Sequence, residues 1–220
     1  MLQCRPSQGI YCNQKFCFAC DAKFAHRHQA KTFAAERRIR ALFPRANRQS
    51  ITATMYDVPA HELAKAIKQI KHAFRLFLTL LEPIGCVYVV EISRSPDRSL
   101  MHPHVHALVW TRQRNRLPDD LAAAWTQTLA RYSQLQAHSV AVSQPIDQTT
   151  AAIERAVFYL HKTNPYYKLF GDALGFHMPE ADPAFSTAVT QLIGSRLVER
   201  LGMASGRVHN AAPARLAAAA

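Results

Sequence analysis

The sequence predicts an α+β protein in which helices back an antiparallel, ferredoxin-like split-βαβ sheet, with a cysteine-rich basic segment in front of it. Three observations predict it. β-Branched or alternating stretches recur at residues 50–57, 86–93, 103–111 and 138–143. An amphipathic stretch separates the first two and a second helical stretch separates the last two. The resulting order, β-α-β-β-α-β and then helix, is that of a split βαβ unit.

Each element has its own signal. Residues 50–57 are β-branched and alternating, which reads as a strand. Pro59 opens a helix in which Leu63, Ile67, Ile70, Phe74, Phe77 and Leu81 form one stripe. Lys65, Lys68, His72 and Arg75 line the opposite face, and Pro83 and Gly85 close the helix. Residues 86–93 are a second strand, with Cys86 expected in the core, and 103–111 a third. Pro118, Asp119 and Asp120 start a helix, the acids at its positive end. A fourth strand follows at 138–143, then helices at about 148–163 and 183–201. The expected organisation is a cysteine-rich segment at 1–48, a sheet domain at 49–168, a helical extension at 169–203 and a flexible Ala-rich tail at 204–220.

Composition narrows the function. With 220 residues, 49% of them apolar, the chain can bury a core, which excludes wholesale disorder. Lys and Arg number 27 against 15 Asp and Glu, a net +12 with a pI near 9.9. Such a balance points to a polyanion, nucleic acid being the commonest. Ten of the basic residues and only Asp21 and Glu36 fall in residues 1–48, so most of the excess sits there. The apolar runs are far shorter than the roughly 20 residues of a spanning helix. No signal-peptide stretch begins the sequence, so a cytoplasmic protein with no membrane partner is expected.

Four of the five cysteines, Cys4, Cys12, Cys17 and Cys20, cluster near the start with metal-ligand spacing. In a reducing compartment they suit a structural zinc ion, with His26 and His28 as alternative fourth ligands. Such a site would fix the segment that follows, leaving Arg37, Arg38, Arg40, Arg45 and Arg48 for phosphate contacts.

The third strand carries the chemistry. Strand alternation puts His104 and His106 on one face and Val105, Ala107 and Val109 on the other. Glu91 on the preceding strand offers a third ligand. Two imidazoles and a carboxylate suit Mg²⁺ or Mn²⁺ acting on a phosphate. On the helix near residue 159, Ile153, Ala156, Val157 and Leu160 form the buried stripe, while Arg155 and Lys162 share the face of Tyr159. Cations there favour a phenolate, which matters because a phenol of pKa about 10 is a weak nucleophile at neutral pH.

These segments resemble the motifs of HUH endonucleases, and more narrowly those of single-tyrosine rolling-circle plasmid replication initiators. Residues 101–108, with His102, Pro103, His104 and His106, resemble the His-Pro-His-x-His-hydrophobic motif. Residues 50–59 are similar to the family's first motif, residues 90–92 to its Glu-bearing strand, and Tyr159 with Lys162 to its Tyr-x-x-Lys motif. The resemblance covers about residues 12–165 and implies that 49–168 is an HUH endonuclease domain. It further implies a divalent ion held by His104, His106 and Glu91, attack of Tyr159 on single-stranded or supercoiled origin DNA, and a 5′-phosphotyrosine link that frees a 3′-hydroxyl. Lys162 would steady the phosphate, and Arg155 would add to the DNA grip. With no Walker-type loop in the sequence, strand separation and copying would fall to a host helicase and polymerase.

Two departures stand out. The Glu that related initiators often carry one turn before the Tyr is Arg155 here, with Glu154 displaced round the helix. The Pro usual inside their Cys-x-x-Cys turn is Phe18. Tyr166 and Tyr167 are competing nucleophiles. A transposase or relaxase would use the same motifs, and a non-catalytic zinc-containing nucleic-acid-binding protein would share the charge and the cysteines. A cupin-type enzyme also uses His-x-His, but Arg98 stands where its Gly is needed.

Overall fold

A computed structural model of the chain describes residues 18–95, 100–112, 120–131, 142–162, 183–192 and 195–206. In chain order they form helix α1 (Phe18–Leu42), strands β1 (Asn47–Thr54) and β2 (Val58–Pro59), helix α2 (Leu63–Leu81), and strands β3 (Pro83–Arg94) and β4 (Leu100–Thr111). Helix α3 (Leu121–Ala130), strand β5 (Val142–Pro145), helices α4 (Thr150–Leu160) and α5 (Pro183–Leu192), and strand β6 (Val198–Gly202) follow. The strands make one open antiparallel sheet in the order β5-β1-β4-β3-β6, with β2 pairing β4. Strand β4 lies between β1 and β3, the two that α2 connects, so the split βαβ order expected from the sequence is present.

Alternation along the central strands divides the core in two. Cys86, Tyr88, Val90 and Ile92 of β3 join Val105, Ala107 and Val109 of β4 under α2, α3 and α5. Val87 and Val89 join Leu108 and Trp110 on the opposite face, under α1 and α4. The six apolar positions read as the stripe of α2 are all buried, and Lys65, Lys68, His72 and Arg75 face outward. Glu82 ends that helix in the left-handed region (φ 43°), and Pro83 already belongs to β3. Among the described residues, no helix is long and apolar enough to cross a membrane.

Three elements differ from expectation. Residues 18–42 are one 25-residue helix where the sequence suggested only a cysteine-pinned basic segment. No Gly or Pro interrupts it, and it is rich in Ala. Its buried stripe, Cys20, Thr32, Ala35, Glu36 and Ile39, includes the polar Thr32 and Glu36, which hid its amphipathicity. The helix expected over 183–201 stops at Leu192, and Val198–Gly202 becomes the edge strand β6, pairing with β3. Leu197 and Leu201 mimic a helical repeat, but Glu199 is drawn to Lys71 and Arg75 of α2 and to the Tyr88 hydroxyl. Burial alone would raise the Glu199 carboxyl pKa, yet the bonds from Lys71, Tyr88 and Arg75 hold it below the usual range. Strand β5 is described from Val142, residues 138–141 of the expected strand lying outside the described residues, and the helix expected from Pro118 is described from Leu121, where the Asp120 carboxylate accepts from the Ala123 amide. Residues 207–220 of the expected tail lie outside the described residues.

Candidate active site

The even-numbered residues of β4 face α1 and α4, which aligns His102, His104 and His106. Register then sets Glu91 of β3 opposite His104 and Thr52 of β1 opposite His106. Glu91 Oε2 lies 3.4 Å from His104 Nε2 and 3.5 Å from His106 Nε2. All three ligand atoms fall within 4.8 Å of one another, and all three side chains are buried. Among the described residues this is the one group of three or more His, Cys, Asp or Glu side chains so placed.

The hydrogen bonds behind the triad test whether it suits a cation. His104 Nδ1 lies 3.2 Å from the His102 carbonyl oxygen, which can only accept. The tautomer that donates from Nδ1 to this carbonyl turns the lone pair of Nε2 toward Glu91. His106 Nδ1 is matched to the Thr52 hydroxyl at 3.0 Å, leaving its Nε2 for the same centre. A carboxylate and imidazole lone pairs thus converge in a place water barely reaches, an arrangement a positive ion satisfies. Ligands held about 2.1 Å from one ion lie roughly 3–4 Å apart, a spacing these atoms approach. The triad can bind a metal ion. Asp57, just beyond β1, supports it from outside by accepting from His102 Nδ1 at 2.6 Å.

Helix α4 is capped by Thr149, whose hydroxyl accepts from the Ala152 amide. It buries Ile153, Val157 and Leu160, and this seating turns Tyr159 toward the triad. The Tyr159 ring stands edge-on to that of His106, centroids 5.7 Å apart at 87°, and remains half exposed. Lys162 lies two residues beyond the helix, its Nζ 4.1 Å from the centre of the Tyr159 ring. Arg155 and Glu154 are both exposed on α4.

The end of α4 is held by a cluster that sequence reasoning missed. His161, buried, meets the Thr32 hydroxyl of α1 at 2.8 Å and stacks on His28 at 5.7 Å. Arg200 of β6 donates to His28 Nδ1 at 2.9 Å. Burial, then the charge of Arg200, lowers the His28 pKa to about 4. Burial, then His28 and Arg200, lowers that of His161 to about 3. No signal in the chain joins residues 28, 32, 161 and 200, because three elements distant in sequence supply them. Thr52 and Asp57 were equally hidden, since their roles depend on β1–β4 register and on where β1 ends.

The other expected sites separate. Arg37, Arg40 and Arg45 are exposed, and Arg38 is partly buried, donating to the Met203 carbonyl. Arg48, expected on the surface as a phosphate contact, is instead buried in an ion pair. Its guanidinium lies 2.7 Å from Glu36, which also accepts from the Trp110 indole. The reason is register: Arg48 pairs with Trp110 across β1 and β4, under α1. Of the four cysteines, Cys20 is buried in α1 and Cys4, Cys12 and Cys17 lie outside the described residues. His28, an alternative zinc ligand by sequence, is engaged with Arg200 and His161, and Tyr166 and Tyr167 lie outside the described residues.

Fold and site together define an α+β protein whose open antiparallel sheet can hold a metal ion beside a solvent-exposed tyrosine. A family model described as Replication protein matches residues 3–115, about half of the chain, including all three triad residues but ending before Tyr159. The chain belongs to this replication protein family, that of plasmid replication initiators. A relative, Protein rep of Streptococcus pneumoniae serotype 2 (strain D39 / NCTC 7466), is 26% identical over 112 residues, 49% of this chain and 35% of that protein. The match therefore spans about a third of the relative's length. No solved structure matches the chain.

Proposed function

We propose that this replication initiator is an HUH-type nickase: it cleaves single-stranded origin DNA of a rolling-circle plasmid and holds the 5′ end on Tyr159. The observation that carries the reading is the convergence of Glu91, His104 and His106 beside the ring of Tyr159. The donor set, two nitrogens and a carboxylate oxygen, suits Mg²⁺ or Mn²⁺, which when bound supplies Lewis-acid polarisation of a phosphate oxygen.

The remaining work falls to side chains. The Tyr159 oxygen forms a bond to phosphorus as the bond from phosphorus to the 3′-oxygen breaks. The phenolic proton is lost, and the departing 3′-oxygen takes one up to become the priming hydroxyl. Lys162 and Arg155, both exposed beside Tyr159, neutralise the non-bridging oxygens. With Arg155 one turn before the nucleophile, termination is read as a second transesterification in which a 3′-hydroxyl attacks the phosphotyrosine and returns the phenol. Arg37, Arg40 and Arg45 supply further phosphate contacts. By spacing alone, Cys4, Cys12, Cys17 and Cys20 are proposed as a structural zinc site, and a host helicase and polymerase as partners.

The test is trapping. Single-stranded oligonucleotides tiling a plasmid origin, incubated with the protein and Mn²⁺, are expected to give a denaturation-resistant adduct. The adduct should vanish with chelator, with Tyr159→Phe and with Glu91→Gln. Its absence with the wild-type chain, or its survival in Glu91→Gln, would overturn the reading.

A further inference from the structure

Among the described residues the exposed large apolar side chains are Leu42, Leu80, Phe158 and Tyr159. Leu42 and Leu80 sit singly at the ends of α1 and α2, an ordinary occurrence. Phe158 differs: it is 50% exposed, adjoins the tyrosine of the site, and no step of the cleavage uses it. Its ring packs edge-on against Phe33 of α1, centroids 6.0 Å apart at 72°, so it is braced rather than loose.

Its surroundings are cationic. At about 100° per residue, Arg155 falls between Phe158 and Tyr159 on one outer arc of α4. Lys162 lies over the Tyr159 ring at the end of that arc, and Arg37, exposed one turn beyond Phe33, flanks the other side. Glu154, on the far flank of Phe158, is the acid nearby on α4. Exposed aromatic faces interleaved with cations match a single strand, whose bases offer flat π surfaces and whose linkages offer charge. An apolar protein partner would gain nothing from these cations.

We propose that Phe158, backed by Phe33, is a stacking platform for an unpaired nucleobase next to the phosphate presented to Tyr159. The inference rests on single-stranded DNA being the substrate of this site, and it adds a base subsite to the metal and the nucleophile. Stacking there would fix the strand so that the neighbouring phosphate lies over the triad, without reading sequence.

The test is a binding measurement that needs neither metal nor cleavage. In chelator, and with Tyr159→Phe protein, the affinity for a fluorescent oligothymidylate is compared with that for an abasic chain of equal length. Adding Phe158→Ala is expected to weaken oligothymidylate binding on the order of tenfold and leave the abasic chain unaffected. Phe158→Trp should restore or exceed the starting affinity. Equal losses for both chains, no loss for either, or a lowered melting temperature of the DNA-free protein with both affinities unchanged would overturn it. The last outcome would mark Phe158 as covered by its own chain. Failure of the nicking reading shows separately, as loss of the adduct with base-dependent binding intact.

Discussion

The ring of Tyr159 meets the ring of His106 edge to face, 5.7 Å between centroids, so a helix and a strand that are separate in sequence place an exposed phenol against a buried triad. Behind that phenol, Glu91 Oε2 lies within 3.5 Å of the Nε2 atoms of His104 and His106, a donor set that suits a divalent ion. Several consequences can be measured.

Occupying the triad should stabilise the fold. At a free Mn²⁺ concentration a hundred times its Kd, about 2.7 kcal/mol is expected from mass action alone. Thermal melts with and without chelator read this directly. Glu91→Gln should melt at the same temperature in both; an equal Mn²⁺ shift in that variant would place the ion elsewhere.

Thr52→Val tests the support behind His106, whose Nδ1 lies 3.0 Å from the Thr52 hydroxyl. The isosteric change removes that partner and should weaken Mn²⁺ binding about 10–100-fold while the sheet stays intact. Isothermal titration of wild type and variant gives the ratio, and an unchanged Kd would deny Thr52 this role.

Arg48 and Arg45 should behave as opposites. Arg48→Met leaves Glu36 buried without its cation and should destabilise by about 3–5 kcal/mol. Arg45→Ala, on the surface, should change stability by no more than about 0.5 kcal/mol yet reduce the salt dependence of DNA binding by roughly one unit of slope. Urea unfolding and salt titrations separate the two; a stable Arg48→Met would contradict the buried pair.

The buried histidines set an acid dependence. The folded pKa of His161, about 3, lies below the unfolded value of 6.5, so between them the unfolded chain binds more protons. Stability is complete above pH 6.5 and falls as pH drops toward 3, by ~2 kcal/mol from His161 alone between pH 7 and 5. His28, at about 4, acts in the same direction but is partly exposed and contributes less. His161→Phe should flatten the pH 7-to-5 slope measured by urea unfolding, and an unaltered slope would refute the assignment.

The split βαβ core was legible because its signals are local. The stripe of α2 and the alternation of β3 and β4 each lie within one element, and alternation alone put His104 and His106 on one face. Glu91 was legible because β3 and β4 are joined by a short connection, which limits their pairing. Helix α1 was obscured by Thr32 and Glu36 in its buried stripe, and β6 by a leucine spacing equally suited to a helix. The inward turn of Arg48 and the His28–Thr32–His161–Arg200 cluster follow from tertiary pairing, which no local pattern encodes.

The most direct measurement is to locate the bond. After Mn²⁺-dependent reaction with a single-stranded origin oligonucleotide, the protein is digested and the nucleotide-bearing peptide sequenced by mass spectrometry. A phosphodiester-linked nucleotide on Tyr159 is the expected result. A nucleotide on Tyr166 or Tyr167, or no modified peptide from protein that binds the oligonucleotide, would contradict it.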